Sequence, residues 1–348
     1  MDNHHAIDPD NMYKSIYDFP YHIAQALDIG RTINFHNTYD NIQNIVIAGM
    51  GGSAIGGDVV KLLTKNELKV PFVISRNYKL PNWVNENTLV ICSSYSGDTE
   101  ETLDSFDDSL NKGAKIIGIS TGGTLTKLLI GNKLDVVTIP SGLQPRAALA
   151  LSFVPMLCLL NKLGFISSNS IKDLKSTVSL LNDFRDKYYN QNEQNPTYAI
   201  AQRIYKTIPI IYGENEYTGI IALRWKGQLS ENSKMLAFCN DLPEMNHNEI
   251  VGWENNNTLM DNISVIWLKD KDDHPRIISR QTATKDIIGK IAANHEVVSL
   301  QGDTQVERLL HLVHFGDWLS YWCAILHKTD PTPVKKIDHL KRILSKIS

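Results

Sequence analysis

Cysteine is scarce in this chain, with four residues among 348. None of them has the paired spacing of a zinc site or a redox motif, so we expect free thiols buried in apolar segments. Histidine offers no better metal site, because His311 and His314 lie three apart on an apolar helical stretch with no carboxylate or thiol in register. We expect no catalytic metal and no cofactor. The cysteines are Cys92, Cys158, Cys239 and Cys323.

A strong excess of one charge and a long apolar run are also lacking. The formal net charge of -3 and the pI near 6.4 give no electrostatic footprint for nucleic acid or an anionic membrane. The longest apolar stretch, residues 147–160, is interrupted by Ser152 and Pro155 and is too short to cross a bilayer. The first ten residues lack the basic and apolar regions of a signal peptide. We expect a cytoplasmic protein with no nucleic-acid or membrane partner.

Two nucleotide signatures are missing as well. There is no Gly-Lys-Ser/Thr step of the kind that holds a nucleoside triphosphate. The pattern Gly49-x-Gly51-x-x-Ala54 has the spacing of a dinucleotide fingerprint, but the next strand, residues 72–76, ends without an acidic residue to bind a ribose. A nucleotide ligand is therefore not expected.

What the chain does contain is a glycine-rich turn, residues 49–58, between an apolar strand at 45–48 and a helical pattern. Glycines permit positive φ and a close approach of the backbone to a ligand, and the first amides of a helix have no internal partner. Such amides point at an incoming anion. We predict that phosphate binds here, with Gly52 and Ser53 among its ligands.

A second loop of the same kind, residues 93–102, follows the apolar strand at 89–92. Its hydroxyls at Ser94, Ser96 and Thr99 are donors that suit the oxygens of a phosphate without a fixed charge. The alternative is that these hydroxyls only cap a helix. Because two such loops follow neighbouring strands, we favour phosphate binding.

The pattern of apolar segments predicts a parallel α/β sheet that occurs twice. In the first half, strands alternate with helices that begin near Gly56, Glu100 and Thr124, and a further helix spans about residues 146–162. The polar segment 183–194 is interpreted as linker. The predicted strands lie near residues 45–48, 72–75, 89–92, 116–120 and 136–139, and in the second half near 208–212, 263–268 and 296–300.

The second half differs chemically from the first. After its first strand it has the segment 213–219, where bulky acidic residues replace the open glycine turn, so we expect no phosphate there. Helices are predicted near residues 219–234 and 277–293. The last long helix, near 306–327, is apolar on most faces, which suits a core or a subunit contact.

The two loops, together with Ser120-Thr121-Gly122-Gly123, resemble a sugar isomerase (SIS) domain. Three further motifs make nearly the whole chain similar to the bifunctional phosphoglucose/phosphomannose isomerases: the segments 144–148, 228–234 and 246–249. The resemblance implies an α/β fold of two SIS-type doubly wound domains. We place the N-terminal domain with the phosphate loops at 1–165, a helical connector and linker at 166–195, and the C-terminal domain at 196–348.

The resemblance also implies roles for Glu231, His247 and Arg146. Glu231 would be the proton-abstracting base, although an exposed helical Glu paired with Lys234 is the ordinary alternative. His247 would open the sugar ring and reach in from a neighbouring subunit, which implies a homodimer with shared active sites. Arg146 would stabilise an enediolate, where an ordinary salt-bridge arginine is the alternative.

A C-terminal lysine is also expected to help open the ring. The position that fits the family best is Lys341, with Lys335 and Lys336 as alternatives. A basic last turn is otherwise common, because it interacts favourably with the helix dipole.

The expected activity is interconversion of glucose 6-phosphate and fructose 6-phosphate, and of mannose 6-phosphate and fructose 6-phosphate, through a cis-enediol. The substrate phosphate would be bound by Gly52, Ser53, Ser94, Ser96 and Thr99. A non-catalytic phosphosugar sensor is the main alternative. A glucosamine-phosphate synthase is disfavoured, since it requires a glutaminase domain with an N-terminal cysteine that this chain lacks.

Overall fold

A computed structural model describes residues 6–346. They form two compact units, one of residues 18–182 and 302–307 (the N-terminal unit) and one of residues 6–17, 183–301 and 308–346 (the C-terminal unit). The division assigns residues 6–17 to the C-terminal unit, whereas we expected them in the first domain. The boundary between the units after residue 182 lies inside the helix Asn169–Tyr188 rather than in a linker.

The strands and helices are numbered in chain order. The strands are β1 (Asn44–Ala48), β2 (Phe72–Ser75), β3 (Thr88–Ser94), β4 (Lys115–Ser120), β5 (Asp135–Thr138), β6 (Ile208–Glu214), β7 (Phe238–Leu242), β8 (Ile263–Lys269) and β9 (Asn294–Ser299). The helices are α1 (Met12–Tyr17), α2 (Phe19–Thr32), α3 (Gly51–Thr64), α4 (Glu100–Asn111), α5 (Gly123–Gly131), α6 (Leu149–Lys162), α7 (Asn169–Tyr188), α8 (Pro196–Ile204), α9 (Thr218–Asn232), α10 (Asn257–Met260), α11 (Pro275–Ile288), α12 (Gln305–Leu326) and α13 (Lys335–Leu344).

The N-terminal unit is built on a parallel sheet with strand order β2-β1-β3-β4-β5. Its central strands are apolar without alternation because helices cover both faces of a parallel sheet. The chain reverses its direction of winding between β1 and β3, and ligands of open α/β sheets bind at the carboxyl ends of the strands at such a switch point. Both predicted phosphate loops follow these two strands.

The C-terminal unit repeats this arrangement with four parallel strands in the order β7-β6-β8-β9. Its core includes the aromatic side chains of α12, where Trp318 and Trp322 stack with ring centres 5.7 Å apart and are fully buried. The apolar character of this helix is therefore explained by core packing. Two α/β sheets flanked by helices confirm the predicted fold class.

The structure corrects three details of the sequence prediction. Helix α3 begins at Gly51, five residues before the expected start near Gly56, because glycines form the first turn of the helix itself. The polar segment 183–194 is helical as far as Tyr188. Strand β7 was not predicted, since Phe238 to Leu242 contains Asn240 and Asp241 and lies at the edge of its sheet.

Three of the cysteines and both histidines of the predicted apolar helix are buried. All four cysteines are free, and three of them are buried. His311 and His314 are also buried, and burial lowers the pKa of each to about 3, so both rings are neutral near pH 7. His311 bonds to the hydroxyl of Tyr188, and His314 accepts a hydrogen bond from Trp318. Within residues 6–346 no helix is both long and apolar enough to cross a membrane.

Candidate active site

The glycine turn lies where β1 ends and α3 begins. Gly51 has a positive φ of 50°, and a Cβ added to Gly52 would lie 2.8 Å from the carbonyl oxygen of Pro145. A Cβ on Gly49 would meet the carbonyl of Ser93 at the same distance. Because α3 begins at Gly51, the amides of Gly51 and Gly52 belong to a first turn that has no intrahelical acceptor. The turn therefore presents backbone amides that have no intrahelical acceptor, and a larger residue at Gly52 would collide with the carbonyl of Pro145.

The hydroxyl loop follows β3 and is internally organised. The Ser94 and Thr99 hydroxyl oxygens lie 2.9 Å apart, and the amide of Gly97 donates to Ser94 over 3.1 Å. The amide of Asp98 donates to the hydroxyl of Ser96. Ser94 is buried, Thr99 is half-buried and Ser96 is exposed. Ser94 thus makes contacts within the loop, and Thr99 and Ser96 are the more exposed of the three hydroxyl residues.

The helix-capping alternative finds limited support in this loop. Thr99 does occupy the N-cap position of α4 with an extended backbone, but its side chain makes no capping hydrogen bond. Its hydroxyl is directed at Ser94 instead. Asp98 fastens the loop to the start of α5, where its carboxylate accepts from the amide and the hydroxyl of Thr124. These bonds, the amide first, hold the pKa of Asp98 below its usual value.

Arg146 lies beside the glycine turn. It is in a short 3-10 helix, Pro145–Ala147, and its Cα would be 3.8 Å from a Cβ on Gly52. The residue is only 4% exposed, and a guanidinium in such a place is a fixed positive charge that cannot lose its proton. The structure therefore brings Gly52, Ser53 and Arg146 together, with the hydroxyl loop against the same turn through Gly49 and Ser93.

Glu231 occupies the last turn of α9 in the C-terminal unit and is half-buried. It lines a cavity of about 660 Å³. Lys335 and Lys336, at the start of α13, line the same cavity, whereas Lys341 lies on a later turn and is not part of its lining. The two alternative lysines, and not Lys341, therefore share a cavity with Glu231.

Buried polar contacts fix α9 against α12. The Arg224 guanidinium donates to both carboxylate oxygens of Asp317, at 2.8 and 2.9 Å, and Gln228 donates to the same carboxylate. Further along, Asn232 donates to the hydroxyl of Ser320. Burial raises the pKa of Asp317 although the neighbouring Arg224 opposes the shift. Helix α9 therefore holds Glu231 on a rigid support.

His247 ends a short 3-10 helix, Glu244–His247, and its side chain is exposed. The loop is anchored on one side by Glu249, which accepts hydrogen bonds from Tyr212 of β6 and, over 2.6 Å, from Asn240 of β7. On the other side Asn246 donates to Thr284 of α11 over 2.7 Å. Sequence reasoning did not identify Glu249 as an anchor, although it stands in the same motif as His247.

Arg146 and the predicted phosphate ligands thus belong to the N-terminal unit, and Glu231, His247 and the lysines to the C-terminal unit. Within residues 6–346, no three or more His, Cys, Asp or Glu side chains are grouped so that they could hold a metal ion. The groups present can bind a phosphate, supply a carboxylate base and provide a fixed positive charge.

The chain is similar to known proteins over most of its length. Residues 193–344 match the bacterial phospho-glucose isomerase C-terminal SIS domain. A bifunctional phosphoglucose/phosphomannose isomerase from Caldicellulosiruptor bescii is 43% identical over 97% of this chain and 99% of its own length. Another, from Aquifex aeolicus, is 35% identical over 87% of this chain and 91% of its own length.

Solved structures show the same fold at low identity. The C-terminal domain of glucosamine-fructose-6-phosphate aminotransferase from Francisella tularensis has a TM-score of 0.72 and 16% identity, covering 92% of this chain and 98% of its own. A putative phosphosugar isomerase from Clostridium difficile has a TM-score of 0.71 and 17% identity, covering 95% and 97%.

Proposed function

Since this chain belongs to the family of bifunctional phosphoglucose/phosphomannose isomerases, we propose that it is an aldose-ketose isomerase with two substrate pairs. It interconverts glucose 6-phosphate and fructose 6-phosphate, and mannose 6-phosphate and fructose 6-phosphate. The observation on which this depends is the 43% identity that extends over 97% of the chain and 99% of a bifunctional relative.

We assign the proton transfer to Glu231. Its carboxylate takes the proton from one of the first two carbons of the open-chain sugar and returns it to the other, through a cis-enediol. The rigid attachment of α9 to α12 supports this role, because a base must be held within hydrogen-bond reach of the proton it abstracts. Arg146 stabilises the negative charge that develops on the enediolate oxygens.

The substrate phosphate is bound in this proposal by Gly52, Ser53, Ser94, Ser96 and Thr99. Backbone amides at the start of a helix and hydroxyl donors are well suited to phosphate oxygens. His247 and a C-terminal lysine open the ring by moving protons at the ring oxygen and the anomeric hydroxyl. The shared cavity with Glu231 favours Lys335 or Lys336 for this step over Lys341.

One set of groups can serve both substrate pairs. Glucose and mannose 6-phosphates differ only at the second carbon, which is planar in the enediol. Returning the proton to one face gives glucose 6-phosphate, and returning it to the other gives mannose 6-phosphate. An enediol that can turn in the site therefore supplies both activities with the single base Glu231.

We also propose that the protein works in the cytoplasm as a homodimer with shared active sites, in which His247 acts on substrate bound to the neighbouring copy. The exposed position of His247 on an anchored loop supports this arrangement. Mixing a Glu231→Gln variant with a His247→Ala variant tests it. Recovery of activity on mixing is expected, since hybrid dimers regain one complete site.

The first experiment is isomerisation of fructose 6-phosphate by the purified protein in EDTA, with glucose 6-phosphate and mannose 6-phosphate measured separately. Formation of both products without metal is expected. If glucose 6-phosphate were the only product, the protein would be a phosphoglucose isomerase without the second activity. Neither product, with phosphosugar binding retained, would overturn the proposal in favour of a sensor.

The assignment of the base is tested by Glu231→Gln. Loss of a general base lowers kcat by about 10²–10⁴-fold, and phosphosugar binding should persist because the phosphate ligands are untouched. Glu254→Gln, at an exposed position of the same unit, is the matched control and should keep full activity. Near-normal turnover of Glu231→Gln would exclude this residue as the base.

A further inference from the structure

Lys234 makes an unusual set of contacts just beyond the end of α9. Its ammonium donates to three backbone carbonyls, those of Glu231 at 2.7 Å, Asn232 at 3.2 Å and Pro331 at 2.9 Å. A lysine ammonium has three N–H donors and no acceptor. Three carbonyls therefore match its full hydrogen-bonding capacity in one place.

These carbonyls belong to two separate segments of the C-terminal unit. Two are at the end of α9, where unpaired carbonyls give a partial negative charge that a cation stabilises. The third belongs to the segment 329–334 that leads into α13, and Pro331 is buried there. Lys234 thus joins the helix that carries Glu231 in its last turn to the segment that leads to Lys335 and Lys336.

The joined segments are two walls of one cavity. Glu231 and Lys234 line it from the α9 side, and Lys335 and Lys336 from the α13 side. A displacement of either wall would change the distance between the carboxylate of Glu231 and the lysines.

The backbone of Lys234 is also unfavourable by itself. Its φ of 57° lies in the left-handed region, where a non-glycine residue costs on the order of 1 kcal/mol and where glycine or asparagine is usual after a helix. Lys328 provides an internal comparison, because it follows the end of α12 with a φ of 53°. Lys328 is exposed and has no recorded side-chain hydrogen bond in the described chain. The same strained backbone thus occurs with and without the ammonium contacts.

We propose that Lys234 is a positioning residue for isomerisation, whose ammonium holds Glu231 and the C-terminal lysines at a working distance. The proposal depends on the proposed function, specifically on Glu231 as the base. It gives Lys234 no proton to transfer, because its donors are engaged by carbonyls rather than directed at a ligand. Its effect is on the geometry of the proton-transfer step.

The test compares Lys234→Gly with Lys328→Gly. Both changes suit the left-handed backbone and remove one surface lysine, but only the first removes the carbonyl contacts. Since misplacement of a catalytic group by about 1 Å costs about 10²-fold, we expect Lys234→Gly to lower kcat by about 10- to 100-fold. The KM for fructose 6-phosphate should change by less than about threefold, because the phosphate ligands are elsewhere. Lys328→Gly should match the wild type in both constants.

Two further readouts separate positioning from other roles. The pH dependence of kcat should keep its shape in Lys234→Gly, since no titrating group of the reaction is removed. Lys234→Asn is a second variant that tolerates the same backbone, and it should show the same selective loss of kcat. Unfolding by urea, measured for each variant, identifies any loss due to a smaller folded fraction.

Equal kcat values for Lys234→Gly and Lys328→Gly would overturn the proposal. So would a rise in KM with kcat unchanged, or a loss of one limb of the pH profile, which would make Lys234 a binding or proton-transfer group. These outcomes are distinct from failure of the proposed function, in which the wild type itself forms neither glucose 6-phosphate nor mannose 6-phosphate.

Discussion

The two parallel sheets of this molecule have the same strand order but different turns at the same place. Strands β1 and β6 occupy the second position of the orders β2-β1-β3-β4-β5 and β7-β6-β8-β9, which correspond over their first four strands. After β1 the chain forms a glycine turn, whereas after β6 the carboxylate of Glu214 accepts from the amides of Glu216 and Tyr217, at 3.1 and 2.7 Å. In the C-terminal unit a side chain of the protein thus occupies donors of the kind that a phosphate would use.

The turns after the third strand position of each sheet differ in the same way. Hydroxyls follow β3, at Ser94, Ser96 and Thr99, and carboxylates follow β8. Of these, Asp270 is paired with the guanidinium of Arg308 at 2.8 Å, and Asp273 accepts from the amide of Asp270. An acidic edge repels a phosphate, which agrees with our proposal that the phosphate binds to the N-terminal unit.

The topology of a parallel sheet thus provides the location of a ligand site, and the side chains at that location determine whether backbone amides and hydroxyls are available to a ligand. In both sheets the switch point lies at the carboxyl ends of the second and third strands in spatial order. Small and hydroxyl residues leave amides and hydroxyls available in one unit. Acidic residues satisfy or repel the same kind of group in the other.

Among changes that test this contrast between the two sheets, the largest effect is expected from a substitution in the glycine turn after β1. Gly52→Ala would place a Cβ 2.8 Å from the carbonyl of Pro145, next to Arg146, so the turn must shift. Since displacement of a binding group by about 1 Å costs about 10²-fold, we expect kcat/KM for fructose 6-phosphate to fall by about that factor. Steady-state kinetics measures it.

Gly131→Ala in α5 is the control for that change, because a Cβ there meets nothing within 4 Å. It should retain wild-type kinetics. If Gly52→Ala were equally active, the glycine turn would not be part of the substrate site.

A smaller effect is expected from removing one hydroxyl of the open unit. Thr99→Val preserves the shape of the side chain but deletes the hydroxyl that we propose donates to the phosphate, and a hydrogen bond to a charged group contributes about 1.5–3 kcal/mol. We expect KM to rise by about 10-fold or more with little change in kcat. Thr126→Val is the matched control, since the hydroxyl of Thr126 is buried without a hydrogen-bond partner in the described chain. An unchanged KM for Thr99→Val would leave this threonine with only a structural role.

Removing the carboxylate of Glu214 should lower the stability of the protein without changing its catalysis. Glu214→Ala removes the acceptor of the amides of Glu216 and Tyr217. The loss should cost about 1–2 kcal/mol of unfolding free energy, because partly buried amides lose their partner. Urea unfolding measures this, and kcat/KM should stay within about twofold of the wild type. A large rise in KM would show instead that this turn takes part in substrate binding.

Much of this contrast could be predicted from the sequence. Glycines after an apolar strand and hydroxyls after the next one indicate the open site, and the acidic segment 213–219 indicates the closed one. The edge strand β7 could not be predicted, because it depends on which segments the fold brings together. The carboxylate contacts of Glu214 are local, but they depend on the backbone conformation of the turn, which the residue types alone do not specify. The sequence indicated Lys234 only as a potential partner of Glu231. Its contact with Pro331 could not be predicted, because the two residues are 97 positions apart.

The smallest effect, and the only one with a pH signature, is expected at the acidic edge of the C-terminal unit. Burial, together with Asp270 and Glu214, raises the pKa of Asp273 to about 6 from 3.8. A carboxyl with a raised folded pKa favours the folded state below its unfolded pKa, and that contribution is lost as the pH rises through about 6. Asp273→Asn, which keeps an acceptor for the amide of Asp270, should therefore stabilise the protein at pH 7.5 relative to the wild type, by about 1 kcal/mol after allowance for partial exposure. The gain should shrink between pH 6 and pH 4 in urea unfolding. A gain that is independent of pH would mean that the charge of Asp273 does not strain this edge, and the contrast between the two sheets would then depend on the turn of Glu214 alone.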